Sequence, residues 1–165
     1  MKNLDFLSLD AKKVAGVVNG LNQLLADLQV YYTNLRGFHW NIKGKGFFIL
    51  HSKFEELYND VAEKIDEVAE RVLQLDGTPD HRFSSYLASS NVKEVGAVYS
   101  GRDAVANILD TLKELIKQER ALLEVASKAG DEVTVALLSD YLKSQEKQVW
   151  MLVAFSAKRP QDEEK

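Results

Sequence analysis

Apolar side chains recur every three or four residues along four long segments of the chain, and this spacing predicts four amphipathic α-helices. The first predicted helix follows Ser8, which suits an N-cap, and ends near His39 before a Gly-Lys-Gly turn. The second runs from about Phe47 to Leu75, where the sequence Asp-Gly-Thr-Pro cannot continue a helix.

The third predicted helix opens with a capping-box pattern, in which Ser100 is followed three residues later by Asp103. It ends at Gly130, a residue suited to the left-handed conformation that closes many helices. Asp131 then caps the fourth predicted helix. Only short turns separate the first two helices and the last two, so each pair is expected to form a hairpin.

A longer connection, residues 79–99, joins the two hairpins, and either 83–87 or 91–95 within it forms one short helix. No strand pattern is present. The predicted fold is therefore all-α: a four-helix bundle with a short extra helix in the long crossover between helices 2 and 3.

A length of 165 residues predicts one domain, 1–165, with flexible tails at about 1–8 and 158–165. The absence of cysteine excludes disulfides, thiolate metal sites and a cysteine nucleophile. The longest apolar runs, such as 150–155, are too short for a membrane span, and the N-terminus does not resemble a signal peptide. These features predict a cytoplasmic protein without a membrane partner.

The second predicted helix carries, beside its apolar face, a face that mixes small residues with metal-ligating ones: His51, Glu55, Ala62, Asp66, Ala69 and Glu70. Imidazole and carboxylate together suit Fe(II) and other divalent ions. His51 and Asp66 are fifteen positions apart, about 22 Å along a helix, so one ion cannot bind both within one chain. A second, antiparallel copy would bring them together, and His39 would lie near His51 where the first two helices meet.

On spacing alone, a solvated helix surface explains these residues better than a metal site does. Carboxylates four residues apart are common on exposed helices, and a lone histidine is often structural. The chain also lacks the Glu-x-x-His pair that supplies ligands inside single di-iron bundles. Any iron site here must therefore be built differently.

The segment LRGFHWNIKGKGFFILHSKFEELYNDVAEKIDEVAERVLQLDGTP, residues 35–79, resembles the signature region of the Dps family of mini-ferritins. The resemblance extends over nearly the whole chain, including KQVWMLVAF around Trp150. It implies a ferritin-like fold and a homo-oligomeric shell of twelve subunits. It also implies an iron-storage ferroxidase whose centres, each oxidising two Fe(II) to Fe(III), lie between two-fold-related chains.

Carried over by position, the resemblance assigns Asp66 and Glu70 of one subunit and His51 of its neighbour to the first iron. His39, from the same neighbour as His51, would bind the second iron directly or through water. Glu55 would also be a ligand, although the family often has the shorter aspartate at this position. The implied oxidant is preferentially hydrogen peroxide, and the Fe(III) product would be stored as mineral inside the shell, protecting the cell against oxidative stress.

The resemblance also implies acidic pores for iron entry near the turn between the third and fourth helices, where Asp131 and Glu132 are the matching residues. Nitrogen and oxygen ligands do not single out iron, however, so a zinc or manganese centre without redox activity is an alternative.

An alternative function is a DNA-binding, nucleoid-protecting shell with incidental metal binding. The chain carries 21 basic and 25 acidic side chains, a net charge of −4. Twelve copies would multiply that negative charge twelve-fold and repel phosphate. We therefore expect weak or absent DNA binding.

Overall fold

The computed structural model describes residues 1–157, which form six α-helices and contain no strand. None of these helices is long and apolar enough to cross a membrane. The helices are α1 (Leu4–Leu7), α2 (Ala11–Asn41), α3 (Phe47–Gln74), α4 (Phe83–Ser89), α5 (Gly101–Ala129) and α6 (Glu132–Ser156).

The predicted ends of the long helices α3, α5 and α6 are confirmed. The Ser100 side chain accepts a hydrogen bond from the backbone N–H of Asp103, which caps α5. Gly130 ends α5 in the left-handed conformation, at a φ of 76°. The Asp131 carboxylate accepts a hydrogen bond from the backbone N–H of Thr134 and caps α6.

The N-terminus differs from the prediction. Asp10, not Ser8, caps α2, and Ser8 instead ends the additional helix α1 in the left-handed conformation. The Asp76 carboxylate accepts hydrogen bonds from the backbone N–H groups of Asn3 and Leu4, which attaches α1 to the end of α3. Residues 1–8 are thus held against the bundle, whereas the predicted tail 158–165 lies outside the described residues.

In the crossover, the first of the two predicted positions for the short helix is confirmed, because α4 covers residues 83–89 and no helix forms at 91–95. Two side chains of α2 hold the non-helical part. Asp27 accepts from the Ser90 hydroxyl at 2.8 Å and from the Asn91 N–H at 2.6 Å. Asn34 donates to the Lys93 carbonyl at 2.8 Å. These bonds satisfy crossover backbone groups that have no helical partner.

The crossover returns the chain to the end of the bundle where α2 and α3 meet. The backbone N–H of Lys43 donates to the Tyr99 carbonyl at 3.0 Å. A side chain at Gly101 would collide with Leu50, so α5 starts directly against the first turns of α3. Helices α3 and α5 therefore run in the same direction, and α2 and α6 both run in the opposite direction. The two hairpins and the one long connection predicted this arrangement.

The bundle core consists of apolar side chains from all four long helices. Its largest fully buried members are Tyr31, Phe54, Leu21, Leu24, Leu25, Leu28, Leu35, Ile108, Leu112, Leu115 and Leu138. Gly20 allows α2 and α5 to approach closely, because a Cβ at that position would collide with Leu122. This packing holds α2 and α3 as a rigid frame for the residues discussed below.

The carboxyl group of Glu119 in α5 lies fully inside this core. Its Oε1 accepts a hydrogen bond of 2.7 Å from the side-chain amide of Gln145 in α6. Burial raises the pKa of Glu119 from 4.5 to about 7, although the Gln145 bond and the charge of Lys64 oppose the shift. The folded protein therefore keeps this acid protonated to a higher pH than an exposed glutamate would be.

We expect the free energy of unfolding to fall as the pH rises from about 4.5 to 7, because the folded state holds a proton on Glu119 that the unfolded chain releases more easily. Glu119→Gln should remove this pH dependence. In the wild type, the total change in the free energy of unfolding across this range is on the order of 1–3 kcal/mol. Urea denaturation at a series of pH values measures it. Glu124→Gln, at an exposed position of the same helix, is the control and should keep the slope. Equal slopes in the wild type and Glu119→Gln would contradict the prediction.

Candidate metal centre

His39 in the last turn of α2 and His51 at the start of α3 lie against each other across the first hairpin. Their rings stack with centroids 3.7 Å apart and planes 18° from parallel. His39 is 9% exposed, while His51 is half-buried. The sequence prediction that the two histidines stand near each other is confirmed.

Each ring of this pair is fixed by the backbone of the other residue. His39 Nδ1 lies 2.7 Å from the His51 carbonyl oxygen, and His51 Nδ1 lies 2.8 Å from the His39 carbonyl oxygen. A carbonyl oxygen only accepts hydrogen bonds, so both Nδ1 atoms carry the proton. With the proton on Nδ1, the uncharged form of each ring has its lone pair on Nε2, the form in which imidazole binds metals.

Three further side chains surround the pair. Phe47 stacks on His51 with centroids 5.0 Å apart, and Tyr58 contacts His39 edge-on at 5.4 Å. The Tyr58 hydroxyl lies 3.5 Å from Glu55, whose carboxylate is exposed one helical turn after His51. The contacts with Glu55 and burial together raise the pKa of Tyr58, with burial as the larger cause. The hydroxyl therefore stays protonated and available as a donor to Glu55.

Asp66 and Glu70 are both exposed on α3, one turn apart. The continuous helix places Asp66 about 22 Å from His51, so one chain does not bring these carboxylates to the histidines. Accordingly, no three His, Asp or Glu side chains within residues 1–157 come close enough to hold a metal ion. The structure thus presents two separate groups of ligands, a histidine pair and a carboxylate pair.

Chemically, the two groups complement each other. Neutral imidazole nitrogens bind Fe(II) and other borderline divalent ions, and anionic oxygens favour the harder Fe(III). The hydrogen bonds at Nδ1 hold both rings in place and leave Nε2 of each as the nitrogen that could bind a metal. The fixed rings and the exposed carboxylates together fit the donor set of a carboxylate-rich iron centre.

Comparison with known proteins identifies the family. A family model for the ferritin-like domain matches residues 18–160. The DNA protection during starvation protein of Porphyromonas gingivalis is 54% identical over 157 residues, which cover 95% of this chain and 99% of that relative. The chain belongs to the Dps family of ferritin-like proteins.

Solved Dps structures agree with this assignment. The Dps protein of Vibrio cholerae, described as a member of the ferritin-like diiron-carboxylate superfamily, is 49% identical and superimposes with a TM-score of 0.89. That match covers 90% of this chain and 94% of the other. Dps from Staphylococcus aureus is 38% identical with a TM-score of 0.84, over 87% of this chain and 96% of that one. The predicted ferritin-like fold and the predicted family are confirmed.

The two residues predicted for an entry pore of this Dps chain lie in different environments. Asp131 is buried, and its carboxylate binds the Arg71 guanidinium at 2.5 Å and the Thr134 hydroxyl at 2.6 Å. These bonds join the end of α3 to the start of α6. Glu132, the next residue, is exposed. Of this pair, Glu132 is therefore the residue whose charge reaches the surface.

The buried polar residues of the bundle were not predicted from the sequence. Glu119 is the clearest case, although a signal was present. It stands in the apolar register of its helix, four residues after Leu115 and three before Leu122. A charged residue at such a position is expected in the core, where it needs a partner.

We expect Asp131→Ala to lower the free energy of unfolding by about 3–5 kcal/mol, because it leaves the buried Arg71 guanidinium unpaired and removes the cap of α6. Glu132→Ala, at the adjacent exposed position, is the matched control and should change stability by less than about 1 kcal/mol. Urea denaturation followed by circular dichroism measures both. An equal, small effect of the two substitutions would show that Asp131 is not a structural residue.

Proposed function

We propose that this Dps family member is a ferroxidase and iron store of the cytoplasm. It oxidises Fe(II), preferentially with hydrogen peroxide, at centres shared between two-fold-related chains, and keeps the Fe(III) as mineral inside a shell of twelve copies. Iron storage and protection against oxidative damage are general to the family, which supports this assignment.

The separation of the two ligand groups on α3 is the observation that carries the proposal. A two-fold axis crossing α3 between the groups places the His39–His51 pair of one copy against Asp66 and Glu70 of the other. The same operation creates a second, identical centre. Two half-sites in each chain thus become two complete centres in each dimer.

Each side chain then has a distinct role. Asp66, Glu70 and His51 hold the first Fe(II), and His39 holds the second, with Glu55 as an additional carboxylate beside the histidines. Two Fe(II) ions at one centre supply the two electrons that reduce one hydrogen peroxide, with two protons, to two water molecules. Pairing the donors in this way avoids the one-electron reduction that would release a hydroxyl radical.

An apolar groove lined by Trp40 supports contact with a second copy. The groove, with a volume of about 470 Å³, lies between α2 and α4 and is lined by Trp40, Phe83 and Leu87 among others. Trp40 is 63% exposed and Phe83 is 79% exposed in the single chain. Large apolar side chains exposed together favour burial against a partner, and Trp40 directly follows His39 in the sequence.

Complementation between two inactive variants tests the shared centre. We expect His51→Ala and Asp66→Ala each to abolish rapid oxidation of Fe(II) by peroxide, measured anaerobically by ferric absorbance. Co-expression of the two variants should restore about a quarter of the centres, because half of the randomly formed dimers are mixed and each has one intact centre.

The two variants assembled separately and then measured together, without subunit exchange, are the control and should stay inactive. Unchanged rates in the single variants would show that the ligands are assigned wrongly. Inactive single variants that gain no activity on co-expression would show instead that the centre lies within one chain.

The DNA-binding alternative receives no support from the charge of the protein. Residues 1–10 contain one lysine and two aspartates, and the net charge is −4 per chain. We expect no stable complex with duplex DNA at neutral pH, because phosphate is repelled by the net negative charge of the shell. An electrophoretic mobility shift at low salt measures binding, with a basic DNA-binding protein as the positive control. Retardation of the DNA at low protein concentration would contradict the expectation.

A further inference from the structure

Tyr58 on α3 contacts both of the side chains proposed to hold the second iron. The edge of its ring lies against His39, with centroids 5.4 Å apart and planes at 82°. Its hydroxyl lies 3.5 Å from Oε1 of Glu55, which stands three residues earlier on the same face of the helix. One half-buried side chain therefore extends from the histidine pair to the additional carboxylate.

The ring of Tyr58 is held on another side by Tyr32 of α2. These two rings meet edge to face, with centroids 6.0 Å apart and planes at 88°. The guanidinium of Arg36, one turn after Tyr32, lies 5.4 Å from the centre of the Tyr32 ring and helps to keep that ring in place. Since His39 and Tyr32 both belong to α2, the position of the Tyr58 hydroxyl is set by the packing of α2 on α3.

Glu55, in contrast, is a long exposed side chain with few partners. Its carboxylate takes part in none of the ion pairs found within residues 1–157. The nearby Lys53 pairs with Glu56 instead, at 2.7 Å. Over the same residues, the Tyr58 hydroxyl is the one side-chain donor to Glu55. The direction in which this carboxylate points therefore depends on Tyr58.

The contact restricts the carboxylate without immobilising it. A distance of 3.5 Å between the hydroxyl and Oε1 exceeds that of a strong hydrogen bond, so Glu55 can still turn towards a metal while it stays close to Tyr58. A glutamate has one more rotatable bond than an aspartate and loses more conformational entropy when a metal fixes it. A donor that restricts the carboxylate beforehand reduces this loss.

We propose that Tyr58 is a positioning residue, whose hydroxyl keeps the Glu55 carboxylate beside His39 and so strengthens binding of the second iron. This role depends on the shared centre of the proposed function. The first iron is held by other side chains, so its affinity does not depend on the hydroxyl.

Titration of the assembled protein with Co(II) tests this role without any oxidation step. Cobalt binds the same nitrogen and oxygen ligands as Fe(II), and its visible absorption reports the sites that it fills. The wild type should bind two ions per centre. Tyr58→Phe keeps the ring and removes the hydroxyl, so it should weaken the second ion about three- to tenfold, the effect of one hydrogen bond, and leave the first unchanged. Tyr32→Phe, which removes the hydroxyl of the neighbouring ring, is the matched control and should change neither affinity.

The Glu55→Ala background separates positioning of the carboxylate from support of the histidine. If Tyr58 acts through Glu55, then Glu55→Ala alone weakens the second ion and adding Tyr58→Phe has no further effect. An equal effect of Tyr58→Phe with and without the carboxylate would show that Tyr58 acts only on His39, and would overturn the proposal. An unchanged second affinity in either single variant would overturn it as well.

The wild-type titration distinguishes failure of this role from failure of the shared centre. A wild type that binds fewer than two Co(II) ions per centre would contradict the two-iron centre, and the role of Tyr58 with it. A wild type that binds two ions, together with an unchanged Tyr58→Phe variant, would contradict only the role of Tyr58.

The kinetics of Fe(II) oxidation by peroxide give an independent measure. We expect Tyr58→Phe to raise the Fe(II) concentration that gives the half-maximal rate and to keep the maximal rate, because saturating iron fills the weakened site. A lower maximal rate at an unchanged half-saturating concentration would show that the hydroxyl takes part in the oxidation itself, and would overturn a positioning role.

Discussion

The fixed rise of a continuous α-helix is the constraint on which the candidate centre depends. Helix α3 runs without a break from Phe47 to Gln74, and its rise of about 1.5 Å per residue keeps His51 and Asp66 about 22 Å apart. No side-chain movement closes such a gap within one chain. The chemistry proposed for this protein therefore belongs to a pair of chains.

Buried polar groups hold this rigid helix in place at both ends. At one end, the Arg71–Asp131 ion pair joins α3 to the cap of α6. At the other, His39 and His51 exchange hydrogen bonds with each other's backbone, which joins α2 to α3. The second connection serves two purposes, because the bonds that join the helices also leave Nε2 of each ring free for a metal. The same two side chains thus join the helices and remain the candidate metal ligands of the hairpin.

The fold was predictable because apolar spacing and helix caps are local signals. Ser100, Gly130 and Asp131 each mark a helix end through contacts within a few residues, and all three were placed correctly. The start of α2 was not, because Ser8 and Asp10 are both good caps, and the choice between them depends on α1. That helix is held by Asp76, more than seventy residues away, through bonds that no local pattern reveals.

The sequence by itself determined the helices and the family and supplied the candidate ligands, since helical periodicity and motif spacing are written along one chain. The tertiary structure alone decided which polar residues are buried and what they bind. It fixed the tautomers of His39 and His51, paired the buried Asp131 with Arg71, and placed Glu119 beside Gln145. The physical reason is that hydrogen bonds between distant segments depend on how the helices pack, and packing brings together residues whose separation in sequence carries no local signal.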